Sequence, residues 1–141
     1  MLIDGGATYN FIDSTLVTRR GIPTEDFEGF SVVVAGGCTM PCIKRVPRLN
    51  VTLGNYNLTD DFYVVDLADT NAVLGVQWLS TLGTISQNYQ AMEMGFNAPD
   101  GKRVVLRGMS NGSPRVVSSK RMEALFRHGG VAYAAECLIT T

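Results

Sequence analysis

Histidine is almost missing from this chain. Among 141 residues there is one, His128, so a Ser-His-Asp or Cys-His mechanism would have to route through it. His128 stands beside Gly129-Gly130, at the predicted end of a helix, where an imidazolium already has a structural role against the helix dipole. Cysteine is scarce too, and the three present, Cys38, Cys42 and Cys137, are an odd number. That points to reduced thiols and a cytosolic or nuclear compartment. Cys38, Cys42 and His128 supply one short cysteine pair, where a structural zinc site takes four ligands, so no metal and no cofactor is expected. An excess of charge is lacking: 12 basic against 13 acidic residues leave −1, which gives no electrostatic footprint for nucleic acid. No apolar run approaches the roughly 20 residues of a membrane span. No charged and apolar leader of the secretory kind precedes the first structured residues, so a cytoplasmic, non-secreted protein is expected. Phosphate-binding signatures are missing as well, since Gly36-Gly37 is followed by neither lysine nor a helix.

What is present reads as one folded unit rich in β structure. Hydrophobic residues make up 45% and charged residues 18%, enough for a core and too little charge for wholesale disorder. Fifteen glycines, with many Val, Thr and Tyr, favour strands and turns. Asp13 predicts a helix N-cap with a two-turn helix over residues 14–20, closed by Gly21 and Pro23. Residues 30–34 and 38–43 read as a hairpin around Ala35-Gly36-Gly37. Residues 48–53 alternate, with Leu49, Val51 and Leu53 apolar, which predicts a half-buried strand. Residues 56–65 return as one bent strand. The apolar run 71–75 ends on Gly75, and the spacing of Val76, Leu79 and Leu82 predicts a helix over 76–82, with Trp78 in the core. Residues 85–89 and 91–96 read as strand, Asp100-Gly101 as a hairpin turn, and 103–108 as the partner of the second. Adjacent Asp60 and Asp61 would point to opposite faces of a strand and are read as solvated turn or edge residues. Ser110 to Pro114 breaks the pattern. The division expected is a domain over 1–109 and a tail over 110–141, with a helix over 119–127 and an apolar segment over 131–139.

One stretch concentrates chemistry. Leu2-Ile3-Asp4-Gly5-Gly6-Ala7-Thr8 delivers a single acid from an apolar run onto two glycines. A carboxylate at the end of a buried strand is a poor choice for stability and a plausible one for catalysis. Two carboxylates sharing one proton can activate a water and protonate a leaving amine, because like charges that close cannot both ionise. This chain offers one Asp-Gly-Gly turn; a symmetric homodimer would supply the second.

These residues carry a resemblance. Asp4-Gly5-Gly6-Ala7-Thr8 resembles the Asp-Ser/Thr-Gly-Ala/Ser-Thr signature of retropepsin-like aspartic proteases. Val73-Leu74-Gly75-Val76-Gln77-Trp78-Leu79 looks like the strand and helix of the same fold, and Val34-Ala35-Gly36-Gly37 falls where that family carries its flap. With Phe11-Ile12, Phe62-Tyr63-Val64 and a segment from Ser119 to Ala134, the chain is most similar to the protease segment and connector of gypsy-type retrotransposon polyproteins of plants. The resemblance implies a mainly all-β fold: a closed or partly open acid-protease barrel, with short helices after Gly6 and Gly75, acting as a homodimer on a peptide or polyprotein, in the cytoplasm or in virus-like particles. Asp4 would be the catalytic acid, with Gly5, Gly6, Ala7 and Thr8 its turn. Val34, Ala35, Gly36 and Gly37 would form the flap, and Leu74 and Gly75 would support the turn from below. Gly5 stands where the family carries Ser or Thr. Two readings therefore remain: an aspartic endopeptidase, or an inactive remnant of that fold serving as an interaction or dimerisation module.

Overall fold

The computed structural model describes residues 1–33, 39–67 and 70–108, together with the backbone of 132–134 and 137–140. The flap residues Val34, Ala35, Gly36 and Gly37, and the helix expected over 119–127, lie outside the described residues. In chain order the elements are β1 (Leu2–Asp4), β2 (Phe11–Asp13), α1 (Ser14–Arg20), β3 (Glu25–Val33), β4 (Thr39–Leu53), β5 (Tyr56–Val65), β6 (Ala72–Leu74), α2 (Val76–Leu79), β7 (Ser86–Asn88), β8 (Glu93–Asn97), β9 (Arg103–Arg107), β10 (Ala132–Ala134) and β11 (Cys137–Thr140). The fold is mostly β, a sheet curled into a half-barrel, as the retropepsin resemblance implies. None of the described helices is long and apolar enough to cross a membrane.

The larger sheet runs β10-β1-β6-β2-β5-β4-β11, and β3 pairs with the first half of β4. β1 lies parallel to β6 on one side and antiparallel to β10 on the other, so the strand that ends on Asp4 is flanked on both sides. β7, β8 and β9 form a second, antiparallel sheet. The core joins the two sheets through Ile12, Leu53, Leu74 and Phe62 of the first and Met94 and Phe96 of the second. Trp78 is buried there, edge-on to Phe96 with ring centroids 5.8 Å apart.

α1 follows its local signals closely. Asp13 has extended backbone and its Oδ2 accepts from the Leu16 N–H at 3.4 Å; Leu16 and Val17 are buried; Arg19 and Arg20 occupy the last turn; Gly21 closes it at φ 61°. Asp13 does more than cap: its Oδ1 also accepts from the Leu67 N–H at 2.8 Å, tying the end of β5 to the start of the helix.

The hairpin strands expected around the glycines are paired, from Val33 opposite Thr39 inward. Leu49, Val51 and Leu53 are buried while Asn50 is exposed, the alternation expected of a strand with one face in the core. Three boundaries differ from the sequence reading. Residues 39–53 form one strand, because Pro47 does not break it. Pro47 and Arg48 together stand opposite Asp61, a bulge between Val46–Phe62 and Leu49–Asp60. Proline has no N–H to lose there, and the Arg48 N–H donates to Asp61 Oδ1 at 2.9 Å instead of to the ladder. β3 begins at Glu25, five residues before the strand expected from Phe30. α2 ends at Leu79, three residues earlier than its apolar spacing suggested, and Gly83 has φ 70°. The Asp100-Gly101 turn stands as expected, with Asp100 Oδ1 accepting from the Lys102 N–H at 3.0 Å.

The double duty of Asp13 sets an expectation. Asp13→Ala removes an N-cap, worth about 1 kcal/mol, and also leaves the Leu67 N–H without its acceptor. A loss of about 1.5–3 kcal/mol in urea unfolding is expected; a loss below about 0.5 kcal/mol would show that neither bond matters.

Candidate active site

Asp4 closes β1 one step beyond the pairs Leu2–Val73 and Ile3–Leu74, which puts it alongside Gly75. It is 2% exposed. A buried carboxylate must be hydrogen-bonded to be tolerated. Here Asp4 Oδ1 accepts from the Gly6 N–H at 2.8 Å, an Asx turn, while the Asp4 carbonyl accepts from the Ala7 N–H at 3.2 Å. Asp4 and Asn10 are the buried polar residues among those described. Gly5 at the tip is exposed, and a β-carbon there would meet nothing within 4 Å, so the turn has room for a serine.

The far half of the loop is held by α2. The Val76 N–H donates to the Ala7 carbonyl at 2.8 Å and the Gln77 N–H to the Thr8 carbonyl at 3.0 Å. The first N–H groups of a helix have no partners within it; these are spent on the Asp4 loop. The approach is close enough to demand glycine. A β-carbon on Gly75 would sit 2.4 Å from the Tyr9 carbonyl oxygen and 2.6 Å from that of Ala7. Leu74, fully buried, anchors the strand below.

A second set of bonds lies behind the loop. Asn10 is completely buried. Its Oδ1 accepts from the Gly75 N–H at 3.0 Å, and its Nδ2 donates to Asp60 Oδ2 at 3.0 Å and to the Asp61 carbonyl at 3.2 Å. Its backbone N–H donates to Gln77 Oε1 at 3.1 Å. Gln77 Nε2 in turn donates to Asp60 Oδ1 at 2.9 Å and to the Asp61 carbonyl at 3.0 Å. The expectation that Asp60 and Asp61 are solvated turn or edge residues is therefore corrected. Both lie within β5; the Asp60 carboxylate receives the two side-chain amides that join the Asp4 loop to α2, and the Asp61 carboxylate fills the β4 bulge. Sequence reasoning missed Asn10 and named Gln77 only within the Val73–Leu79 stretch, with no role of its own. The one local hint is an asparagine set directly between Tyr9 and the apolar pair Phe11-Ile12, where burial and an amide coincide.

Among the described residues no group of three metal-ligating side chains occurs. Cys42 is buried in β4, its thiol facing the Lys44 and Val64 carbonyls at 3.7 and 3.4 Å, and burial pushes that thiol up. Cys38 and His128 lie outside the described residues. The chemistry the site offers is that of one buried, turn-held carboxylate, with an open glycine tip.

Two substitutions test the bracing. Gly75→Ala forces a methyl group into two carbonyl oxygens, and overpacking of this kind costs about 1–3 kcal/mol or more; a thermal or urea midpoint unchanged from the parent would refute the close approach. Asp60→Asn replaces an acceptor-only group with one that turns an NH2 toward Asn10 or Gln77. A loss of about 1–3 kcal/mol is expected, with Asp60→Glu milder than Asp60→Asn.

Comparison with curated proteins yields no match. Residues 1–100 match the family model described as the PEG10/RTL1 protease domain, and the chain accordingly belongs to that retropepsin-like, gypsy-type retrotransposon-derived protease family.

Proposed function

We propose that the protein is an aspartic endopeptidase that works as a symmetric homodimer. The observation that carries this is the buried Asp4 carboxylate on a glycine turn whose carbonyls are clamped to α2. Two such turns facing each other across a two-fold axis would bring two Asp4 carboxylates together. At that separation they share one proton. The ionised carboxylate takes a proton from a water as its oxygen attacks the peptide carbonyl. The protonated one gives its proton to the carbonyl oxygen, and the tetrahedral intermediate then collapses with the proton passed to the leaving amine. An extended peptide, paired through its backbone as an added strand, is the substrate, under the β3–β4 hairpin; the polyprotein carrying this domain is the natural one.

Gly5 favours a second reading. In the family pattern a hydroxyl at this position bonds across to the partner's turn, and a glycine lacks it. A dimer weakened at this point would leave an inactive module that still binds other chains.

The two readings separate in one experiment. The protein, its Asp4→Asn variant and a sample with a pepstatin-like inhibitor are incubated with a peptide library at about pH 4–6, where a shared-proton pair operates. Cleavage that disappears in the variant and with the inhibitor is the expected result. No cleavage, with a monomer in sedimentation, supports the module. Gly5→Ser should tighten the dimer. Two symmetric hydrogen bonds at about 0.5–1.5 kcal/mol each correspond to roughly 5- to 150-fold in dissociation constant. An unchanged constant would overturn this account of the turn.

A further inference from the structure

Tyr9 leaves the Asp4 loop and is 39% exposed. Its ring does not stand alone. It meets Phe30 at 4.9 Å and Tyr63 at 5.2 Å between centroids, and Phe27 completes the group at 5.6 Å from Phe30 and 5.3 Å from Tyr63. Phe27, Phe30 and Tyr63 are half-buried. Three elements thus contribute to one partly open aromatic surface: the Asp4 loop, the hairpin strand β3, and β5.

Phe27 and Phe30 are three apart, and in a regular strand they would point to opposite faces. They share a face because β3 is irregular at that place. Asp26 pairs with Lys44 and Phe30 with Cys42, so Phe27, Glu28 and Gly29 stand opposite Ile43 alone. Gly29 takes φ +87°, and a β-carbon on it would lie 3.0 Å from the Cys42 carbonyl oxygen. The chain gives up a regular ladder here, and the result is a cluster of rings left open to solvent.

The rim carries paired charges. Arg45 is ion-paired with Glu25, and Arg45 is the cross-strand neighbour of Tyr63. Asp26 stands opposite Lys44. These two pairs offset each other, and Glu28, exposed within the bulge, adds one acidic group beside the rings. What remains is ring area, which favours another ring through edge and offset stacking.

Its place relative to Asp4 follows from the sheet. Leu2 pairs with Val73, Val73 with Phe11, and Phe11 with Tyr63. That row crosses three strand spacings, about 14 Å at ~4.8 Å each. An extended peptide advances about 3.3 Å per residue. Leu2 lies two residues before Asp4 and the sheet is curled, so this contour sets an upper bound: a peptide seated on Asp4 and running toward β5 reaches the rings within about five residues of the bond being cut.

We infer that Tyr9, Phe27, Phe30 and Tyr63 form an outer specificity subsite that takes an aromatic side chain of the substrate, within about five residues of the scissile bond. This rests on the endopeptidase reading for its orientation along the peptide, and on the ring cluster for its chemistry.

The test separates the two. Fluorescently labelled peptides of about ten residues, long enough to span the site, are made with phenylalanine or alanine at each successive position of an otherwise polar sequence. Binding to the full-length Asp4→Asn protein is read by polarisation, which needs no catalysis. Phenylalanine at one position should bind about tenfold tighter than alanine, the scale of filling or emptying an apolar pocket. Tyr9→Ser and Phe30→Ser should bring that ratio close to one, while Tyr9→Phe retains it. Circular dichroism matching the parent shows that each variant is folded. Equal binding of all peptides, or a preference that survives in folded Tyr9→Ser and Phe30→Ser, overturns the subsite. Cleavage by the parent protein then places the preferred position against the cut. A binding preference without Asp4-dependent cleavage leaves the subsite standing and sinks the endopeptidase reading.

Discussion

The missing β-carbon of Gly75 is the constraint on which the site depends. Because nothing projects from that residue, the carbonyls of Ala7 and Tyr9 come in against its backbone. The N–H groups of Val76 and Gln77 are then within reach of Ala7 and Thr8. Each side solves a problem for the other. A short helix begins with donors it cannot satisfy, and a loop that turns away from a buried strand has carbonyls to place. Joined, they leave the Asp4 turn with little freedom, which is what a catalytic carboxylate requires of its support. The tip at Gly5 stays open.

Behind this contact, the Asn10–Asp60–Gln77 bonds make the arrangement specific. Asn10 uses its amide oxygen, both directions of its NH2 group and its backbone N–H. A fully buried polar group is costly when any of these is unmet and rigidifying when all are met. The Asp60 carboxylate suits the position because it accepts without donating, and two amides face it. Stability and function are therefore not separable here: the bonds that hold β2, β5 and α2 together are those that fix the loop carrying Asp4.

Much of this was legible in the sequence where the physics is local. The Asp13 cap, the basic last turn and the Gly21 stop predict α1 almost to the residue, because each acts within a few positions. The alternation of Leu49, Val51 and Leu53 predicts the buried face of β4. The Asp4-Gly5-Gly6 turn is visible for the same reason, being a strand, an acid and two glycines in a row. What escaped is what depends on distant partners. The gap read between strands 38–43 and 48–53 closes only when Asp61 is there to accept the Arg48 N–H. Asp60 reads as a surface acid until Asn10, 50 positions away, and Gln77, 17 away, are brought to it. The four rings were hidden doubly, since they come from three elements and two of them share a face only through an irregularity in β3.

Trp78 is the chain's one tryptophan. It directly follows Gln77, whose amide binds the Asp4 loop, and its ring stands edge-on to Phe96 of the second sheet. The indole therefore sits where the loop support and the sheet-to-sheet core meet. Its emission is a built-in optical probe, free of background from any second indole. Loosening of α2 from the loop, or parting of the two sheets, exposes the same ring to water and moves the same signal. The state of the site can thus be followed without a label and without a substrate.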